Sequence, residues 1–110
     1  MSVSQEFLEH LTDIFSPLGH LRIQRMFGGA LIKIDEQQLG VVIEEQLYFK
    51  LVDEALMASY QAEGSEQFTY RRKDKPDPVV IKHWWRVPEE LLDEPNELCE
   101  RGAAVLAQFQ

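Results

Sequence analysis

The hydrophobic period of this chain changes twice, and that restricts the fold more than any other feature. Phe7, Leu8, Leu11, Ile14, Phe15 and Leu18 recur at helical spacing and define one face of an α-helix. Ser2 and Gln5 have capping-box spacing at its start, and Pro17 and Gly19 mark its end. Glu6, Glu9, His10 and Asp13 fall on its solvent side. Between residues 21 and 51 the period drops to two. At the far end Leu98, Gly102, Val105, Leu106 and Phe109 return to a single helical face, behind Pro95 at a first-turn position.

Within the period-two region Ala30, Ile32 and Ile34 alternate with Leu31 and Lys33. Residues 35–38 make a turn, 39–43 a second strand and 44–46 a second turn. Leu47, Phe49 and Leu51 then alternate with Tyr48 and Lys50. Two or three antiparallel strands joined by short hairpins fit this pattern. Asp53 suits the N-cap of a short helix through Leu56, Met57 and Tyr60 that stops at Gly64. Two more strands, 68–73 and 79–86, flank a loop holding Pro76 and Pro78, and Pro88 closes the strand section. The expected order is α-β-β-β-α-β-β-α. This is an α+β fold: two layers, with helices packed on an antiparallel sheet of about five strands. At 110 residues it is expected to form one domain, 1–110.

Charge limits the partners. The formal net charge is −8, yet residues 71–86 carry six basic and two acidic side chains while the rest of the chain is acidic. A protein coating nucleic acid along its whole surface is excluded; an anionic partner has to meet the 71–86 stretch. No window approaches the run of about 20 apolar residues that a membrane span needs. Met1–Gln5 has neither the basic nor the apolar region of an export signal. The lone Cys99 has no partner for an internal disulfide. A cytoplasmic protein without membrane contact is expected.

Catalytic and metal chemistry find no motif. His10, His20, His83 and Cys99 are the soft ligand candidates, and none stands at a short metal spacing. Glu44-Glu45 and Glu89-Glu90 are paired carboxylates in a chain rich in them, and Glu89, Glu90, Asp93 and Glu94 suit helix starts. A phosphate loop needs a strand before it and a helix N-terminus after it, whereas a strand-like run, Ala30–Ile34, follows Gly28-Gly29. It reads as a tight turn requiring positive φ, with Met26 and Phe27 packed beneath it. Arg22 and Arg25 read as surface charges or ion-pair partners. No enzyme activity, cofactor or metal is expected.

One constellation supports a sharper expectation. Alternation in a 68–86 hairpin puts Phe68 and Tyr70 on the apolar face with Val79, Ile81, His83 and Trp85. It leaves Arg71, Lys73, Lys82, Trp84 and Arg86 together on the outside. A cation-rich face with an indole suits an acidic protein segment or a stacked base. The competing reading has Trp84 covered by the molecule's own helix.

Arg25-Met26-Phe27-Gly28-Gly29 between a helix and a hairpin, Phe68-Thr69-Tyr70 leading into a basic strand, and Trp84-Trp85-Arg86-Val87-Pro88 leading into an acidic helix start form an ordered set. In that order and spacing the chain resembles the N-terminal domain of the TfoX/Sxy family, bacterial regulators associated with natural competence, over about residues 7–106. The resemblance implies a two-layer, secretion-chaperone-like α+β domain and a role in competence or transcription regulation. Full-length members carry a second, helical C-terminal domain, whereas this chain ends at Gln110 and is similar to the short stand-alone members. It carries over no catalytic residue.

The function expected is a non-enzymatic regulatory domain acting on a regulatory protein partner, with a homodimer also compatible. The alternatives are direct nucleic-acid contact through residues 68–86, and a small-ligand-binding protein or enzyme.

Overall fold

The structure is a computed structural model that describes residues 4–26, 28–71, 73–74 and 76–110. Helix α1 (Gln5–Phe15) runs into a single 3-10 turn at Ser16–Leu18. Four strands follow: β1 (Leu21–Met26), β2 (Gly29–Ile34), β3 (Gln37–Ile43) and β4 (Gln46–Lys50). Helix α2 (Glu54–Ala62) separates them from β5 (Gln67–Arg71) and β6 (Pro78–Arg86), and a 3-10 segment (Glu89–Asp93) leads into α3 (Pro95–Ala107). The strands form one antiparallel sheet in the order β1-β2-β3-β4-β6-β5. The α+β class and the helix-on-sheet order stand as expected, with one strand more than the sequence suggested. That strand is β1, an edge strand whose Arg22, Gln24, Arg25 and Met26 are all exposed, so it lacks the apolar alternation of its neighbours.

Local chemistry sets the boundaries. Ser4 caps α1, its hydroxyl accepting from Phe7 N–H at 3.2 Å, two residues later than the capping box placed it; Ser2 lies outside the described residues. Asp53 caps α2 as expected, accepting from Leu56 N–H at 3.1 Å, and Pro95 opens α3.

Three two-residue turns bend the chain from β1 to β4, because Met26 pairs with Gly29, Ile34 with Gln37 and Ile43 with Gln46. Two of them use no glycine: Asp35, Glu36, Glu44 and Glu45 have φ of 49°, 68°, 51° and 62°. Positive φ at both central positions matches the twist of the flanking strands, but it is costly for side-chain-bearing residues. Side-chain bonds help hold these turns. The Asp35 carboxylate accepts His20 N–H at 2.8 Å. The Glu45 carboxylate accepts the Ser4 N–H at 2.6 Å and its hydroxyl at 3.0 Å. Glu36 pairs with Arg22 at 3.1 Å.

All three helices cover the same face of the sheet. Leu8, Leu11, Ile14 and Phe15 of α1, Tyr60 of α2, and Leu98 and Val105 of α3 form one cluster with Ala30, Ile32, Ile34, Val42, Leu47, Phe49 and Trp85 from the sheet. Phe49 is the hinge point of the packing, with its ring edge-on to Phe15 at 6.1 Å and to Tyr60 at 6.5 Å. Gly102 lets α3 approach α1: a Cβ there would stand 2.9 Å from Phe15 Cε1 and 3.0 Å from Leu18 Cδ1. Arg101, one residue earlier, ties α3 to the end of α2. Its two terminal nitrogens each reach a Glu63 oxygen at 2.6 Å, and its guanidinium lies over the Tyr60 ring at 5.3 Å.

Candidate interaction face

The helix layer leaves the second face of the sheet open. Alternation from Ala30, Val42 and Leu47 sends the intervening residues to that side. One row there crosses four strands: Leu31 pairs with Val41, Val41 with Tyr48, and Tyr48 with Arg86. Val41 is fully buried yet stands outside the helix-side cluster, so the open face has a small apolar floor of its own.

An aromatic group continues this floor toward β5. Tyr48 and Phe68 meet edge to face at 5.2 Å, Phe68 and Trp84 lie 5.9 Å apart, and Phe68 and Tyr70 stack at 6.0 Å. Trp84 and Arg86 share this face with Tyr48 and Lys50, their partners on β4. Tyr48 is half-buried, and burial holds its phenol above the ordinary range despite the opposing charge of Arg86. The ring therefore stays neutral at physiological pH.

The grouping expected from strict alternation is corrected here. It put Phe68 and Tyr70 with Trp85 on the core side and five basic or indole groups on the other. Instead Phe68 and Tyr70 lie with Trp84, while Trp85 alone enters the core. The cause is a register irregularity: Gln67 pairs with Trp85 while Phe68 already pairs with Ile81. A bulge of this kind reverses the facing of every residue beyond it. Arg71, which pairs with Pro78, is thereby moved to the face opposite Trp84, and its guanidinium bonds Pro76 O at 3.2 Å. Lys73 lies in the turn beyond β5. Of the five residues, Trp84 and Arg86 share the open face. Lys82 sits in the irregular segment, its carbonyl accepting from both the Gln67 amide and the Trp85 indole. Trp84 is half-buried, with the Phe68 ring 5.9 Å away. Lys33, Lys73, Lys82 and Arg86 form no ion pair among the described residues.

The glycine pair performs two different tasks. Gly28 has φ of 66° and is exposed, as a turn residue should be. Gly29 is buried in β2, where a Cβ would run into the main-chain carbonyl of Val42. Met26 does not pack beneath the turn; it is 43% exposed because the strand carrying it is at the edge. Phe27 lies outside the described residues. Arg25 donates to Gln5 Oε1 at 3.3 Å.

The other sequence candidates are engaged in structure. The His10 ring meets Leu92 O at 3.1 Å, and the His83 ring meets Leu51 O at 2.9 Å. Cys99 packs against the core. Among the described residues no three His, Cys, Asp or Glu side chains gather to hold a metal ion. A groove of about 720 Å³ between α2 and α3 is lined by Val52, Asp53, Leu56, Ala104, Ala107 and Gln108, among others. Its polar groups are already committed. The Gln108 amide oxygen accepts from Val52 and Asp53 N–H, its nitrogen donates to Lys50 and Val105 O, and Asp53 caps α2.

Three helices on one face of an antiparallel sheet and an aromatic group on the other make up the α+β fold. The chain belongs to the family of the TfoX N-terminal domain, whose model matches residues 13–108. No curated protein matches it. Among the described residues no helix is long and apolar enough to cross a membrane.

Proposed function

We propose that this chain is a non-enzymatic regulatory domain of the competence-regulator type that acts by binding another protein. The observation that carries the reading is the open sheet face. Tyr48, Phe68, Tyr70 and Trp84 form a contiguous aromatic group there, with Arg86 beside it and Lys82 nearby, both without an ion pair among the described residues. Aromatic residues with arginine are the anchors that dominate protein interfaces, and partly buried rings present their area at little entropic cost. The committed polar groups of the α2–α3 groove favour this reading over a small-ligand site.

Pull-down of the domain's partner tests it. Trp84→Ala and Arg86→Glu are expected to lose capture at least thirtyfold, about 2 kcal/mol. Arg71→Glu, on the opposite face, and Glu6→Lys/Asp13→Lys on α1 are expected to bind as wild type. Loss confined to the α1 variant would refute the reading.

Direct nucleic-acid contact through the same rings is the second reading, favoured by their resemblance to a base-stacking platform. A gel-shift titration over a salt series separates the two, since phosphate contacts make affinity fall steeply with salt.

A further inference from the structure

We propose that the β5 edge joins two copies of this chain, with antiparallel β5–β5 pairing about a two-fold axis through Thr69. The strand is bonded on one side only, by β6, and is the last in the sheet. Its sequence, Gln67-Phe68-Thr69-Tyr70-Arg71, is complementary to its own reverse. A two-fold at Thr69 sets Phe68 against the partner subunit's Tyr70 and Tyr70 against the partner subunit's Phe68. Thr69 then faces the partner subunit's Thr69, and Arg71 faces the partner subunit's Gln67. Aromatic pairs and a Thr–Thr pair are the favourable cross-strand combinations, and no like charges stand opposite each other.

Charge favours a second copy as the occupant. The pairing runs the basic hairpin end, Arg71 and Lys73, alongside the partner subunit's exposed Glu66, and does so twice by symmetry. Exposure points to the same place. Of the three exposed large hydrophobic residues among those described, Tyr70 at 37% and Val80 at 52% both lie on this hairpin. The stacked Phe68 and Tyr70 rings would continue across the axis, turning two aromatic groups into one band. The opposite edge is built to refuse such pairing: β1 carries Arg22 and Arg25 within six residues.

This inference is independent of the protein-partner reading, because a monomer would overturn it and leave the pull-down unaffected. Sedimentation equilibrium from about 1 to 300 μM covers the weak range expected of a small strand-to-strand interface. The wild type is expected to pass from monomer to dimer. Thr69→Lys and Thr69→Asp, at an exposed position, are each expected to weaken association at least tenfold. Mixing the two is expected to restore a dimer containing one of each, seen by native mass spectrometry. Gln24→Lys on β1 is expected to dimerise as wild type. A monomeric wild type throughout, unchanged association of Thr69→Lys, no recovery on mixing, or loss in Gln24→Lys would each overturn the proposal.

Discussion

Gly28 and Gly29 are adjacent, yet the structure requires opposite outcomes when each is replaced by asparagine. At Gly28 the demand is conformational. Its φ is 66°, and nothing lies within 4 Å of where a Cβ would stand. Alanine there meets only the left-handed backbone penalty of about 1–2 kcal/mol, offset by up to about 1 kcal/mol from a less flexible unfolded chain. Asparagine tolerates that backbone region, so Gly28→Asn should be close to neutral. At Gly29 the demand is steric. The obstruction is the main-chain carbonyl of Val42 in the neighbouring strand, with Ile43 Cγ1 at 3.2 Å behind it. No rotamer relieves contact with a backbone atom, so β2 and β3 must separate at the centre of the four-strand meander. Overpacking costs about 1–3 kcal/mol even where side chains can adjust, so Gly29→Ala and Gly29→Asn should each lose about 3 kcal/mol. At roughly 4–8 °C per kcal/mol, that lowers the melting temperature by more than about 12 °C. Urea and thermal melts of the four variants decide the matter. Equal losses at the two positions, or a tolerated Gly29→Asn, would refute the assignment of strain to one glycine and steric contact to the other.

Gly102→Ala sets a helix-propensity gain of about 1 kcal/mol against overpacking on Phe15 and Leu18, and should lose about 1 kcal/mol net by urea melt. A more stable variant would show that α3 can back away from α1. Arg101→Met should lose about 1–2 kcal/mol at neutral pH by removing the paired bonds to Glu63. The Arg101 hydrogen bonds hold the Glu63 carboxyl below its ordinary 4.5, so their contribution is complete above that pH and fades as the pH falls through the lower folded-state value. The difference between acid melts of wild type and Arg101→Met should therefore narrow as the pH falls below 4.5. Glu45→Ala removes the acceptor of Ser4 N–H and hydroxyl, and amide exchange at the start of α1 should accelerate without change in β6.

Much of the fold was legible because burial on one face leaves a periodic trace. Leu8, Leu11, Ile14 and Phe15 kept the helical period, and Leu47, Phe49 and Leu51 kept the strand period, since each set meets one continuous core. Asp53 and Pro95 announced their helices through backbone chemistry that needs no tertiary context. Leu21–Met26 was not named as a strand because an edge strand half-covered on one side carries charge at positions an inner strand fills with apolar groups. The candidate face was read less well, and for a definite reason. Alternation assigns sides only while register is unbroken, and the irregularity beside Phe68 reverses the sides without altering composition. Phe68 and Tyr70 were thus placed on the wrong side, and Arg71 in company it does not keep.

The two-residue turns also divide the chain's folding in time. The β1–β2, β2–β3 and β3–β4 pairings join sequence neighbours across minimal loops, so each closes at small entropic cost. The β4–β6 pairing is different in kind. It joins Phe49 to Trp85 across α2 and β5, and the ring of Trp85 completes the same core that Phe49 organises. Such a closure is rewarded only after its loop has been ordered, which makes it the slow element of an otherwise low-contact-order sheet. The meeting of Phe49 and Trp85 thus seals the core across the longest stretch of sequence that separates any two paired strands among the described residues.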